Sequence, residues 1–83
     1  MRIRLRFFAA LREQMGARGE RSVKSGATVG TLWRALVAER PELAAVPVRF
    51  AVNETYVAPS HRLADGDEVA IFPPVSEIGR AHV

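Results

Sequence analysis

The chain opens on a strict alternation, Arg2-Ile3-Arg4-Leu5-Arg6-Phe7-Phe8, which puts Ile3, Leu5 and Phe7 on one side of a strand and Arg2, Arg4, Arg6 and Phe8 on the other. One side is core and the other is wet. Phe8 is a large aromatic on the arginine side, and two readings stay open for it: it turns into the element that follows, or it meets a partner. Ala9 to Met15 reads as a short helix with Leu11 and Met15 one turn apart, stopped at Gly16. Glu20 to Lys24 reads as a second strand in which only Val23 is clearly apolar, a weak pattern that suits a sheet edge.

After a turn at Ser25-Gly26 the period lengthens. Val29, Leu32, Leu36 and Val37 form one apolar stripe of a longer helix, with Thr28 placed to cap its first turn through the side-chain hydroxyl. Trp33 borders that stripe and is read as core rather than as a recognition residue, and Pro41 ends the regular helix. Val48, Phe50 and Val52 then alternate with Arg49, Ala51 and Asn53, so Ala51 is expected on the wet side of a third strand. Asn53-Glu54 reads as a turn, Tyr56-Val57 as a brief strand, and Pro59-Ser60 as the start of a loop. Asp65-Gly66-Asp67 is a tight reversal in which Gly66 supplies a positive φ. It leads into Glu68 to Phe72, with Val69 and Ile71 inward and Glu68, Ala70 and Phe72 outward.

Pro73 and Pro74 end that strand. Neither has an N–H for a ladder and each restricts the residue before it, so Val75 and Ser76 are predicted to leave the sheet on a stiff, extended arm. The predicted order is strand, short helix, strand, long helix and three strands. A mixed sheet with one face packed on the main helix and the other face open buries one side of every strand, an α+β architecture.

Composition narrows the chemistry. The chain has 83 residues, 48% apolar and 25% charged, which suits one globular domain, and it shows no repeats or internal linkers. It has no cysteine, which excludes disulfides, thiolate metal sites and a cysteine nucleophile. Its two histidines, His61 and His82, lie far apart, so no metal site is expected. No apolar run approaches the length of a bilayer, and a cytoplasmic protein without a membrane partner is expected. The net charge of +3 suits an acidic protein or RNA without choosing between them. Asp65, Asp67 and Glu68 crowd one tight turn and are read as a solvated reversal, while Ser60-His61 lacks an oriented third member. No catalytic residue emerges.

Three motifs carry a family resemblance: Phe7-Phe8-Ala9-Ala10-Leu11-Arg12-Glu13, then Val52-Asn53-Glu54-Thr55, then Asp65-Gly66-Asp67-Glu68-Val69-Ala70-Ile71-Phe72-Pro73-Pro74-Val75-Ser76. In that order and spacing the chain resembles the small sulfur-carrier subunits of molybdopterin synthase. The resemblance implies a ubiquitin-like β-grasp over residues 1–76, with the first and last strands parallel at the centre of the sheet and Phe8 and Phe72 on its open face. It also implies a carrier rather than an enzyme. In the family an E1-like adenylating partner uses ATP to activate a C-terminal glycine, which becomes a thiocarboxylate and donates sulfur to a pterin precursor within the synthase. The domain itself binds no cofactor. The implied partner-binding residues are Phe8, Tyr56, Phe72, Pro73, Pro74, Val75 and Ser76, with Arg2, Arg4 and Arg6 as a rim, and the implied partners are the large synthase subunit and the adenylating enzyme. Nucleic acid is not an expected partner of a carrier. The alternatives are a carrier of thiamine-type pathways and a β-grasp module that binds protein or RNA and transfers no sulfur.

The family's arm ends Gly-Gly, whereas here Ser76 is followed by Glu77-Ile78-Gly79-Arg80-Ala81-His82-Val83. Ile78 to Val83 is also a translation of a widely used short-read sequencing adapter. Residues 77–83 are therefore expected to be a non-native tail standing in place of Gly-Gly, and are set aside in reasoning about the fold.

Overall fold

A computed structural model describes residues 1–74. The elements are β1 (Arg2–Phe7), α1 (Ala10–Met15), β2 (Arg18–Ser22), α2 (Val29–Glu39), a 3-10 helix (Pro41–Ala45), β3 (Arg49–Val52), β4 (Thr55–Val57) and β5 (Glu68–Phe72). The strands form one sheet in the order β2-β1-β5-β3-β4. β1 and β5 run parallel at its centre, with Leu5 opposite Val69 and Phe7 opposite Ile71, and the other neighbours are antiparallel. This is the expected α+β, ubiquitin-like β-grasp.

The period-2 alternation of β1 and β5 sends Ile3, Leu5, Phe7, Val69 and Ile71 to one face, where α2 covers them with Val29, Leu32 and Leu36. All eight side chains are buried. Trp33 packs against this core, its ring 6.2 Å from that of Phe50. Burying apolar side chains of this size stabilises the fold by roughly 1.5–3 kcal/mol each.

Helix α2 starts where its free N–H groups find acceptors. Val29 donates to the His61 carbonyl at 3.0 Å, Gly30 to the Pro59 carbonyl at 2.8 Å and Thr31 to the Thr28 hydroxyl at 3.2 Å. Thr31 answers by accepting from the Thr28 N–H at 2.9 Å, closing a reciprocal capping box worth about 1 kcal/mol. The Pro59–His61 loop is thus spent on backbone capping, with the Ser60 and His61 side chains left in solvent.

Three expectations need correction. β2 runs from Arg18 to Ser22 rather than from Glu20 to Lys24, because its register comes from the β1 ladder, Arg2 opposite Ser22 and Arg6 opposite Arg18, and not from its own apolar content. It does lie at the sheet edge. Helix α1 begins at Ala10, since Ala9 sits at φ 55, outside helical space. Pro41 does end the regular helix, α2 stopping at Glu39, and a 3-10 turn beyond it delivers Leu43, fully buried, to the core. Ala51 is buried at 5% exposure although it lies on the open face, because larger neighbours close over it.

Candidate functional site

The open face carries the alternate residues of the strands, and one end of it is aromatic. Parallel pairing of Phe7 with Ile71 sets Phe8 beside Phe72, and the Phe8 N–H donates to the Ile71 carbonyl at 3.3 Å. The rings of Phe8 and Phe72 meet edge to face, with centroids 6.4 Å apart and planes at 89°. Tyr56 enters from the opposite side, because β4 pairs with β3 at Ala51, and its ring lies 5.5 Å from that of Phe72. Phe72 is therefore the middle of three rings. Each such contact contributes about 0.5–1.5 kcal/mol beyond the area it buries.

The floor beneath the rings is made by Ala51 and Ala70, which face each other across β3 and β5. Their small side chains let the three aromatics lie against the sheet. Tyr56 remains 81% exposed and Phe8 37% exposed, large apolar surface for a small domain, whereas Phe72 is half-buried between them. Pro73 borders this patch, and Pro74 lies in an adjoining groove with Pro47, Arg49 and Val57. The arm thus begins against the aromatic patch. Val75, Ser76 and residues 77–83 lie outside the described residues.

Of the three arginines expected to frame the patch, Arg6 alone does so. Its guanidinium carbon stands 5.3 Å from the centre of the Phe8 ring, and its nearest carboxylate is Glu68 at 3.9 Å. Arg2 and Arg4 lie further back along β1, toward the other end of the face. Arg2 bonds Glu20 at 2.8 Å, and Arg4 donates to the Gly66 carbonyl at 3.3 Å. A strand advances about 3.3 Å per residue, so Arg4 and Arg2, two and four positions before Arg6, are carried past the rings.

The acidic turn is structural. Asp65 accepts from the Arg2 N–H at 2.7 Å, and Asp67 accepts from the Ala64 N–H at 2.8 Å and from the Asn53 amide at 3.0 Å. The Asn53 side-chain oxygen accepts from the Glu68 N–H at 3.0 Å, which ties the β3–β4 turn to the start of β5. Among the described residues no three His, Cys, Asp or Glu side chains gather as a metal site would require. Among the same residues no helix is long and apolar enough to cross a membrane.

Sequence reading found the three aromatics but not what supports them. Alternation puts Ala51 and Ala70 on the open face, and the signal that this face is covered rather than wet is that small residues there alternate with large ones. Two other contributors, Ala9 and Glu54, border the patch at positive φ, 55° and 71°, conformations that side-chain-bearing residues seldom adopt.

The comparisons with known proteins agree with this geometry. A family model described as the ThiS family matches residues 5–76. The molybdopterin synthase sulfur carrier subunit of Escherichia coli is 37% identical over 78 residues, 89% of this chain and 96% of that protein. The protein of the same description from Chlamydomonas reinhardtii is 38% identical over 81 residues, 92% and 98% of the respective chains. Among solved structures, small archaeal modifier protein 1 of Haloferax volcanii is 32% identical, covers 89% of this chain and 98% of its own, and superposes with a TM-score of 0.77.

Proposed function

The chain belongs to the ThiS family, and on that premise we propose that it is the sulfur carrier subunit of molybdopterin synthase. The observation that carries the reading is the position of the aromatic trio at the point where β5 hands over to Pro73 and Pro74. A partner that grips Phe8, Tyr56 and Phe72 grips the root of the arm, and so aims whatever the arm carries. The large synthase subunit and an E1-like adenylating enzyme are the two partners of this surface. The domain contributes docking and reach, while its partners contribute the ATP site, the sulfur donor and the pterin pocket.

The chemistry needs a terminal glycine carboxylate. Attack of that carboxylate on ATP releases pyrophosphate and leaves an acyl-adenylate, from which a sulfur donor displaces AMP to give the thiocarboxylate. A glycine suits this step because a backbone without Cβ atoms enters a narrow channel and allows close approach to the acyl carbon.

The test is mass spectrometry after incubation with the adenylating enzyme, ATP and a sulfur donor. A chain with Gly-Gly following Ser76 in place of residues 77–83 is expected to exchange one oxygen for one sulfur. The sequence ending in Val83 is expected to remain unchanged. Absence of sulfur on the Gly-Gly chain, with the adenylating enzyme active on another carrier, would refute the reading.

A thiamine-type carrier is disfavoured by the name of both curated relatives.

A further inference from the structure

We infer that the open face carries, next to the aromatic trio, an electrostatic docking strip centred on Arg6 and Arg18, which receives carboxylates of the large synthase subunit. The inference rests on the carrier reading and adds the chemistry that the partner must present.

The strip follows from strand register. β1 and β2 pair so that Arg6 lies directly opposite Arg18, both on the open face. Like charges facing each other across an antiparallel pair destabilise it. Nearby carboxylates do not resolve the conflict. Glu20 is engaged by Arg2 at 2.8 Å, and Glu68 reaches only Arg6, at 3.9 Å. Among the described residues Arg18 has no ion-pair partner, and it is exposed. The free domain thus keeps two arginines opposed across the ladder on its surface, and a partner carboxylate docked against this strip relieves the like-charge pairing.

The strip is continuous with the trio. Arg6 belongs to both, since it is paired with Arg18 across the β1–β2 ladder while its guanidinium stands over Phe8. A surface that covers the rings therefore reaches Arg6 and, one strand further, Arg18. Aromatic anchors with a charged rim are the composition of a protein interface. The geometry fits RNA less well. Stacking bases need free ring faces, whereas Phe8 and Phe72 meet at 89° and use one another's surface, and Glu20 and Glu68 interrupt the basic track.

The experiment measures association of this chain with the large synthase subunit encoded in the same genome, by stopped flow or surface plasmon resonance over a range of salt concentrations. Arg18→Glu is expected to slow association about tenfold and to flatten its salt dependence, with dissociation little changed. Arg18→Lys is expected to restore both. Arg34→Glu, the same change of charge on an exposed position of α2, is expected to stay within about twofold of the unaltered chain. Equal rates and salt dependence in Arg18→Glu would overturn the inference and leave the carrier reading standing. Equal slowing by Arg34→Glu would do the same, by assigning the effect to overall charge. Failure of the chain with Gly-Gly following Ser76 in place of residues 77–83 to bind the subunit would remove the carrier reading and the strip together. Salt-sensitive binding of a single-stranded RNA oligomer, lost in Arg18→Glu while subunit binding is kept, would assign the strip to nucleic acid and overturn it.

Discussion

Phe8 and Phe72 meet edge to face at 6.4 Å, although they come from opposite ends of the described chain. The contact is a consequence of the parallel β1–β5 pairing, which sets Phe7 against Ile71 inside and leaves the next residue of each strand outside. A ring pair that closes the sheet's centre on the solvent side costs the domain exposed apolar surface. That cost is recovered when a partner covers it.

Phe72 is the ring that touches both others, so Phe72→Ala is expected to disrupt the whole patch. Because the residue is half-buried and on the open face, the loss of stability should be about 1–2 kcal/mol, below the 3–5 of a core phenylalanine. Binding to the large subunit should weaken at least tenfold, as truncation of an anchor does. Thermal melts beside a titration test this, and a melt showing a core-sized loss would mean that Phe72 serves the fold.

Glu54 holds φ 71 in the two-residue turn between β3 and β4, next to Asn53 at φ 50. Both central positions of this hairpin turn are left-handed, a geometry that Asn-Gly satisfies best. Glu54→Gly is expected to stabilise the domain by about 1 kcal/mol, read as a rise of roughly 4–8 °C in Tm. A lower Tm would show that the Glu54 side chain contributes more than its backbone costs.

Asn53 joins that turn to β5 through both ends of its amide, accepting from Glu68 and donating to Asp67. Asn53→Ala removes both bonds and places a poor residue at positive φ, for an expected loss of about 2 kcal/mol. Asn53→Gly loses the bonds but keeps the conformation, and should cost about half as much. Chemical denaturation of the pair separates the two contributions.

Arg21 on β2 and Glu39 at the end of α2 form a two-pronged ion pair, one bond of 2.6 Å and a second between Arg21 Nη2 and Glu39 Oε1. The hydrogen bond from Arg21 holds the Glu39 carboxyl below its ordinary pKa, and the same bond raises that of Arg21. For a carboxyl lowered in the folded state, the stabilisation is full above its unfolded pKa and is lost as pH falls through the folded value. Stability measured from about pH 6 down to about pH 2 should therefore decline less steeply in Glu39→Gln than in the unaltered chain. Parallel curves would show that the pair contributes nothing in solution.

The sequence by itself determined which side of each strand faces inward and where the main helix starts. Ile3, Leu5, Phe7, Val69 and Ile71 are where alternation put them, and Thr28 caps α2 as its hydroxyl allowed. These are local properties, set by a two-residue or 3.6-residue repeat and by one side chain reaching its own backbone. Motif resemblance added the strand order, and with it the expectation that Phe8 and Phe72 share a face. Tertiary structure decided the rest. The span of β2, and hence the pairing of Arg18 with Arg6, comes from hydrogen bonds to β1 that the residues of β2 do not encode in their own pattern. Ala51 is buried and Leu43 reaches the core because distant side chains and a 3-10 turn bring them there. Alternation assigns a face to a residue, but neighbours across the ladder decide whether that face meets water, a ring or another charge.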